Sequence, residues 1–239
     1  AGSAAFTALG DRLKETRKLK GAIEVKEHPA VLHGEIVEIE PELAEALTVL
    51  GGARAYYDWD MPGGEALLRK AVSVDPKYQR ARQTLAECLT MRGRFGEAVA
   101  EIQKALDLDP LSLHTNAAVV MHNYFARRYA EAIKHGHQSI ELDPSFYPTR
   151  YFLGLAYQAN GEIEEAIAQF QHAQTLSGGN TLMTAALAAA FASAGKVDEV
   201  NAMLAELDQV GRKRYVSQTA MAAAYVCKVD IDEALLRLE

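Results

Sequence analysis

Apolar residues along the chain fall at helical spacing in runs of a dozen or so positions, and Asp-Pro pairs or glycines interrupt the runs at regular intervals. In "YFLGLAYQANGEIEEAIAQFQHAQTL", apolar positions recur three and four residues apart through Tyr157, and Asn160-Gly161 breaks the pattern. The spacing predicts one helix ending there and a second over Ile163 to Leu176. Asp-Pro occurs at Asp75-Pro76, Asp109-Pro110 and Asp143-Pro144, each pair 34 residues after the last, and the next step lands on Ser177 before Gly178-Gly179. Other columns keep the same period: Gly93, Arg127, Gly161 and Gly195; Phe95, Tyr129, Ile163, Val197 and Ile231; Glu97, Glu131, Glu165, Glu199 and Glu233; Ala98, Ala132, Ala166, Val200 and Ala234. A chain so organised is a series of helix pairs, each second helix stopped by proline, which pushes the residue before it out of the α region.

The same period sorts core from surface. Leu85, Val119, Leu153, Leu187 and Met221 form one apolar column of the first helices; Leu89, Asn123, Tyr157, Phe191 and Tyr225 form another, four residues on along the same face. Ile102, Phe170 and Leu204 answer from the second helices, with Gly136 as the outlier. The small column Ala98, Ala132 and Ala166 falls where two helices approach closely.

With Leu153-Gly154, Tyr157, Ala166, Phe170, Ala173 and a closing proline at this period, the sequence resembles the tetratricopeptide repeat, a 34-residue helix–turn–helix unit. The resemblance covers roughly residues 41 to 239, with repeats at about 44–78, 79–112, 113–146, 147–180 and 181–214 and a partial one from 215. Residues 1–43 read as a degenerate N-terminal helical repeat or cap: residues 5 to 20 supply its first helix and "EIVEIEP" the end of its second. The implied fold is all-α, a right-handed superhelical solenoid of antiparallel helix pairs. The phrases "YYDWD", "ALDLDPLSL", "NYFARRYAEAI", "TLSGGN" and "KRYVS" are similar to the C-terminal repeat arrays of bacterial signalling proteins that carry winged-helix, kinase or adenylate-cyclase modules; none of those modules is present in this sequence.

The resemblance also implies a use for the remaining stripe of the first helices, which in this family faces a concave groove that binds ligands. The stripe passes through Arg80, Gln83 and Glu87, then His114, Met121, Tyr124 and Phe125, then Tyr151, Leu155 and Gln158, and ends at Leu182, Ala185, Ala189, Ala192 and Ser193, turning from polar to aromatic to small and apolar. Met121, Tyr124, Phe125, Tyr151, Phe152 and Leu155 are the expected anchors for a partner, and Arg80, Gln83, Glu87, His114 and Gln158 the expected orienting contacts; for Phe152 the alternative is packing on the next repeat. The Lys/Asn set that captures C-terminal carboxylates in some family members, and the Asn ladder of others, are not found in the matching columns. The expected function is a protein–protein interaction scaffold that binds a peptide or helix in its groove. Three alternatives stand beside it: a homodimer through the C-terminal helices, where "DEALLRLE" ends on Leu235, Leu236 and Leu238; the segment 20–34 acting as an internal ligand; and a regulatory arm of a larger signalling protein.

Composition narrows the chemistry. The chain carries 25 basic against 32 acidic residues, a net charge of −7, which argues against a nucleic-acid footprint. Cys88 and Cys227 are too few for a disulfide framework and read as buried thiols. No apolar run reaches transmembrane length. The chain begins "AGSAAF"; the expected compartment is cytoplasmic, or periplasmic if the N-terminus is processed. "HGH" places His135 and His137 two apart, where helical side chains diverge and cannot chelate one ion. "DWD" (Asp58 to Asp60) reads as a helix cap with Trp59 closing the core edge. The basic runs "RLKETRKLK" (12–20) and "RKR" (212–214) read as solvated surface. No catalytic, metal or cofactor pattern appears, so no cofactor, no nucleic acid and no membrane partner is expected.

Overall fold

A computed structural model of the chain describes residues 43–212, which divide into two compact units: one ends at Leu108 and the other begins at Asp109. Several expectations lie outside the described residues: the N-terminal repeat up to residue 42, the basic run 12–20, the segment 20–34, Cys227, and the partial repeat with its terminal leucines. Among the described residues all regular structure is α-helix. The first unit contains α1 (Ala44–Tyr56), α2 (Met61–Val74), α3 (Gln79–Met91) and α4 (Phe95–Leu108). The second contains α5 (Leu113–Phe125), α6 (Tyr129–Leu142), α7 (Tyr147–Asn160), α8 (Ile163–Leu176), α9 (Thr181–Ser193) and α10 (Val197–Gly211). The helices α3, α5, α7 and α9 begin 34 residues apart, and α8 spans the residues predicted for it.

The turns explain the columns. Between first and second helices, Gly93, Gly161 and Gly195 adopt left-handed φ of 71°, 88° and 71°. The N–H of each bonds back three residues, and the next N–H reaches five back, closing the helix end. Arg127 holds the same conformation at φ 58° without glycine's freedom. Between second and first helices the aspartate before proline does more than end a helix. Its Oδ1 accepts from the N–H two residues on: Lys77 at 2.9 Å, Leu111 at 3.2 Å and Ser145 at 2.8 Å. The Ser145 hydroxyl and N–H together hold the Asp143 carboxyl below its ordinary range.

In the first unit, Leu47, Ala71 and Ala81 form a core cluster with Leu67, Val72, Val74 and Tyr78 around it. There α1 and α2 touch backbone to backbone at Gly51 and Gly64; a Cβ on Gly64 would stand 2.7 Å from the Gly51 carbonyl oxygen. In the second unit the larger core gathers Leu153, Tyr157, Phe170, Leu187, Phe191 and Leu204. The two column outliers are accommodated. Gly136 leaves room for Leu153, whose Cδ1 would lie 2.9 Å from a Cβ there. Asn123 is buried and satisfies its amide by donating to the Val119 carbonyl at 2.9 Å. The small column Ala98, Ala132 and Ala166 is fully buried.

One expectation fails. Asp60 does cap α2, accepting from the Gly63 N–H at 2.9 Å, but Trp59 is 75% exposed and closes no core edge. The N–H groups of Asp58 and Asp60 both fold back onto carbonyls of α1, which puts Trp59 in the left-handed region at φ 56° and its indole in water.

Candidate functional site

The expected partner-facing residues divide between the two units. In the first, Arg80 is exposed on α3, and Gln83 and Glu87 are half-buried. Glu87 already has a partner that the sequence did not reveal: the Tyr56 hydroxyl donates to its Oε2 at 3.0 Å and approaches the Thr84 carbonyl at 3.4 Å. Burial and the Glu87 carboxylate push the Tyr56 ionisation far up, so the hydroxyl stays a donor.

A second cluster in this unit also escaped the sequence. Glu65 on α2 is buried and accepts from Arg69 at 2.7 Å, from Arg94 at 2.6 Å and from Arg92. Burial alone would raise its pKa; the hydrogen bonds from Arg69 and Arg94 outweigh that and lower it. Arg69 and Arg94 also pair with Glu97. Partners 27 and 29 residues apart give no local signal, and a carboxylate so fully used ties helices together rather than binding a ligand.

In the second unit, α5 and α7 pack side by side and bring the aromatic residues together. Tyr124 meets Phe125 edge-on, centroids 5.2 Å apart, and lies 6.2 Å from Tyr129. Tyr151 meets Phe152 edge-on at 5.1 Å and lies 6.1 Å from Phe170. Both tyrosine hydroxyls are pushed toward the protonated form by burial, and Tyr151 further by Tyr124. Tyr124 and Phe152 rest on the cluster of Val120, Ala132 and Ala156, so Phe152 faces the preceding helix pair and not the next repeat, the direction expected for its packing. Tyr151 and Leu155 rest on the larger core. Met121 is half-buried and Phe125 is 42% exposed. Gln158 donates to the Ser193 hydroxyl on α9 at 3.0 Å, and His114, exposed, stacks edge-on with Phe146 at 5.0 Å. The result is a ledge of aromatic rings whose inner edges are packed and whose outer edge, at Phe125, meets solvent.

The histidine pair behaves as two separate residues. His135 Nε2 lies 3.1 Å from Asn116 Oδ1, and His137 Nε2 lies 2.6 Å from the Tyr157 hydroxyl. Among the described residues no group of three or more His, Cys, Asp and Glu is placed to hold a metal ion, and no helix is long and apolar enough to cross a membrane.

Two family models, both described as tetratricopeptide repeat, match residues 60–116 and 147–180. No curated protein is significantly similar to the chain in sequence. Solved structures are. A tetratricopeptide repeat protein of Thermus thermophilus superposes with a TM-score of 0.63 at 20% identity, covering 81% of this chain and all of its own. One from Parabacteroides merdae reaches 0.68 at 13% identity, covering 87% and 82%. YrrB, a tetratricopeptide repeat protein with an unusual peptide-binding site, reaches 0.54 at 15% identity, covering 87% and 97%. At these identities the structures speak for the fold; the matched segment 147–180 spans the pair α7 and α8, and 60–116 spans α2, α3 and α4 and reaches the start of α5. Residues 60–116 and 147–180 match as tetratricopeptide repeats, and the described helix pairs have the fold of tetratricopeptide repeat proteins.

Proposed function

We propose that this protein is a protein–protein interaction scaffold with no catalysis of its own, and that α5 and α7 of the second unit hold a peptide or helix of the partner. The observation that carries this reading is the aromatic ledge of Tyr124, Phe125 and Tyr151, seated on packed cores yet open at Phe125. Rings held this way offer apolar area at little ordering cost, because their rotamers are already set by packing. Met121 and Leu155 extend the apolar surface, and His114 and Gln158 add polar contacts at its margins. Arg80, Gln83 and Glu87 provide a separate polar face on α3 of the first unit, with Glu87 oriented by Tyr56. The peptide-binding site of the similarly folded YrrB is in keeping with such a role.

Capture of partner chains by the immobilised protein tests it. Phe125→Ser should abolish capture while the melting temperature stays within about two degrees, since an exposed substitution shifts stability by roughly 0.5 kcal/mol or less. Leu142→Ser, at a comparably exposed leucine on α6, should leave capture intact. Capture that survives Phe125→Ser would remove the ledge from the reading.

A further inference from the structure

We infer that the segment bound by this ledge is acidic, carrying carboxylates beside its apolar anchors, and that Arg127 and Arg128 in the turn after α5 recognise them. This rests on the reading that the ledge binds a partner. The turn is fastened to the ledge: the Arg127 N–H bonds to the Tyr124 carbonyl and the Arg128 N–H to the Asn123 carbonyl, both at 2.9 Å. The two arginines therefore stand at the exposed end of the aromatic surface, next to Phe125.

Their charges are unspent, unlike those of the sister turns. One repeat earlier, Arg94 stands where Arg128 stands and is neutralised by Glu65 and Glu97. Two repeats later, Lys196 holds the same position and pairs with Glu164. Among the described residues neither Arg127 nor Arg128 makes a side-chain hydrogen bond or ion pair, although both are exposed and Glu131 lies three residues from Arg128. Arg127 is also left-handed at φ 58°, where Gly93, Gly161 and Gly195 stand in three of the sister turns and Trp59, at φ 56°, in the fourth. An L side chain holds that conformation at a cost, and such costs concentrate at functional positions.

The wall beside the turn matches this charge. In α5, α7 and α9 there is no aspartate or glutamate, although the chain as a whole carries a net charge of −7. The carboxylates of this unit lie on the second helices and in the turns, at Glu131, Glu141, Glu164, Glu165, Asp198 and Glu199 among others. An acidic segment would meet no carboxylate on the helices it touches and two free guanidinium groups at their end, which is the arrangement that guides encounter and fixes orientation. Arginine suits the task because its planar fork pairs a carboxylate through two hydrogen bonds.

Panning a displayed random-peptide library against the full chain tests this. Enriched peptides should combine Leu, Ile, Phe or Met with Asp or Glu, and a synthetic copy of one should bind more weakly as salt rises. The double variant Arg127→Gly/Arg128→Gln should weaken that peptide by roughly fivefold, the scale of two exposed ion pairs, while its melting temperature does not fall. Enrichment that ignores charge or favours Lys and Arg, affinity unchanged in the double variant, or the absence of any enriched peptide would each overturn the inference. Displacement of the peptide by a short single-stranded oligonucleotide from wild-type protein but not from the double variant would reassign the arginines to nucleic acid, and so overturn it too. The two readings fail separately. Loss of binding in Phe125→Ser with none in the arginine variant leaves the ledge standing and removes the acidic partner, whereas binding indifferent to both variants removes both.

Discussion

Arg127 occupies a backbone position that three of its sister turns give to glycine and one to Trp59, and the exchange has a measurable stability cost. Relative to glycine a left-handed L residue costs about 1–2 kcal/mol. Arg127→Gly should therefore raise the denaturant midpoint, with a gain of about 0.5–1 kcal/mol once the added freedom of the unfolded chain is subtracted; urea titration of the two proteins measures it, and an unchanged or lower midpoint would mean that the guanidinium makes stabilising contacts after all. The column itself is visible in the sequence, because Gly93, Gly161 and Gly195 frame the odd member. Other residue-scale facts are not. Trp59 in "YYDWD" resembles a core aromatic, but its exposure follows from how Asp58 and Asp60 hydrogen-bond back to α1, which no residue type announces. Asn123 in an apolar column looks like a defect until the amide is seen closing on the Val119 carbonyl one turn back.

At the scale of elements, the helix ends were legible and the helix contacts were not. Asp-Pro, Asn-Gly and lone glycines each carry a local mechanism, an Asx turn or a left-handed cap, so they place α3 to α10 from the sequence. Contacts depend on which surfaces meet. Gly51 and Gly64 read as weak points inside α1 and α2, yet they are where the two backbones touch. Gly64→Ala should therefore destabilise the protein, by about 1 kcal/mol or more. The added Cβ would lie 2.7 Å from the Gly51 carbonyl oxygen and 2.9 Å from the Ala55 nitrogen, and overpacking of about 1–3 kcal/mol exceeds alanine's helix advantage. Gly96→Ala on α4, where nothing lies within 4 Å, should instead stabilise by roughly 0.5–1 kcal/mol. Opposite signs for the same substitution in two helices, read by thermal or urea unfolding, are the expected result; a gain at both sites would mean that α1 and α2 do not approach as described. The candidate site divides in the same way. The period sets Tyr124, Phe125 and Tyr151 on one stripe whose use only the family resemblance implies, whereas the bond from Tyr56 to Glu87 links residues 31 apart and has to be seen in space.

For the molecule as a whole, the two units differ in how acid reaches them, because the described part of the first holds no histidine while the second holds His114, His122, His135, His137 and His172. His122 on α5 is buried, and burial depresses its pKa from 6.5 to about 4; burial lowers that of His135 as well. A base whose folded pKa lies below its unfolded value takes up its proton more readily when unfolded. The stability it contributes is complete above pH 6.5 and is lost as the pH falls from there toward 4. For His122 the loss reaches about 3 kcal/mol at the lower end, at about 1.36 kcal/mol for each pH unit. The carboxylate of Glu65 in the first unit is held below its ordinary 4.5 by its arginines, so the stability it contributes is lost only as the pH falls below about 4.5, later than the loss that begins at His122. Hydrogen exchange at pH 7.5 and pH 5, corrected for the intrinsic rates, should show protection falling in α5 and α6 while α2 and α3 keep theirs. In a His122→Gln variant the acid-induced loss should shrink to what His135 supplies. Equal losses in both units, or full protection of α5 down to pH 4, would mean that His122 is not held neutral by the core around it.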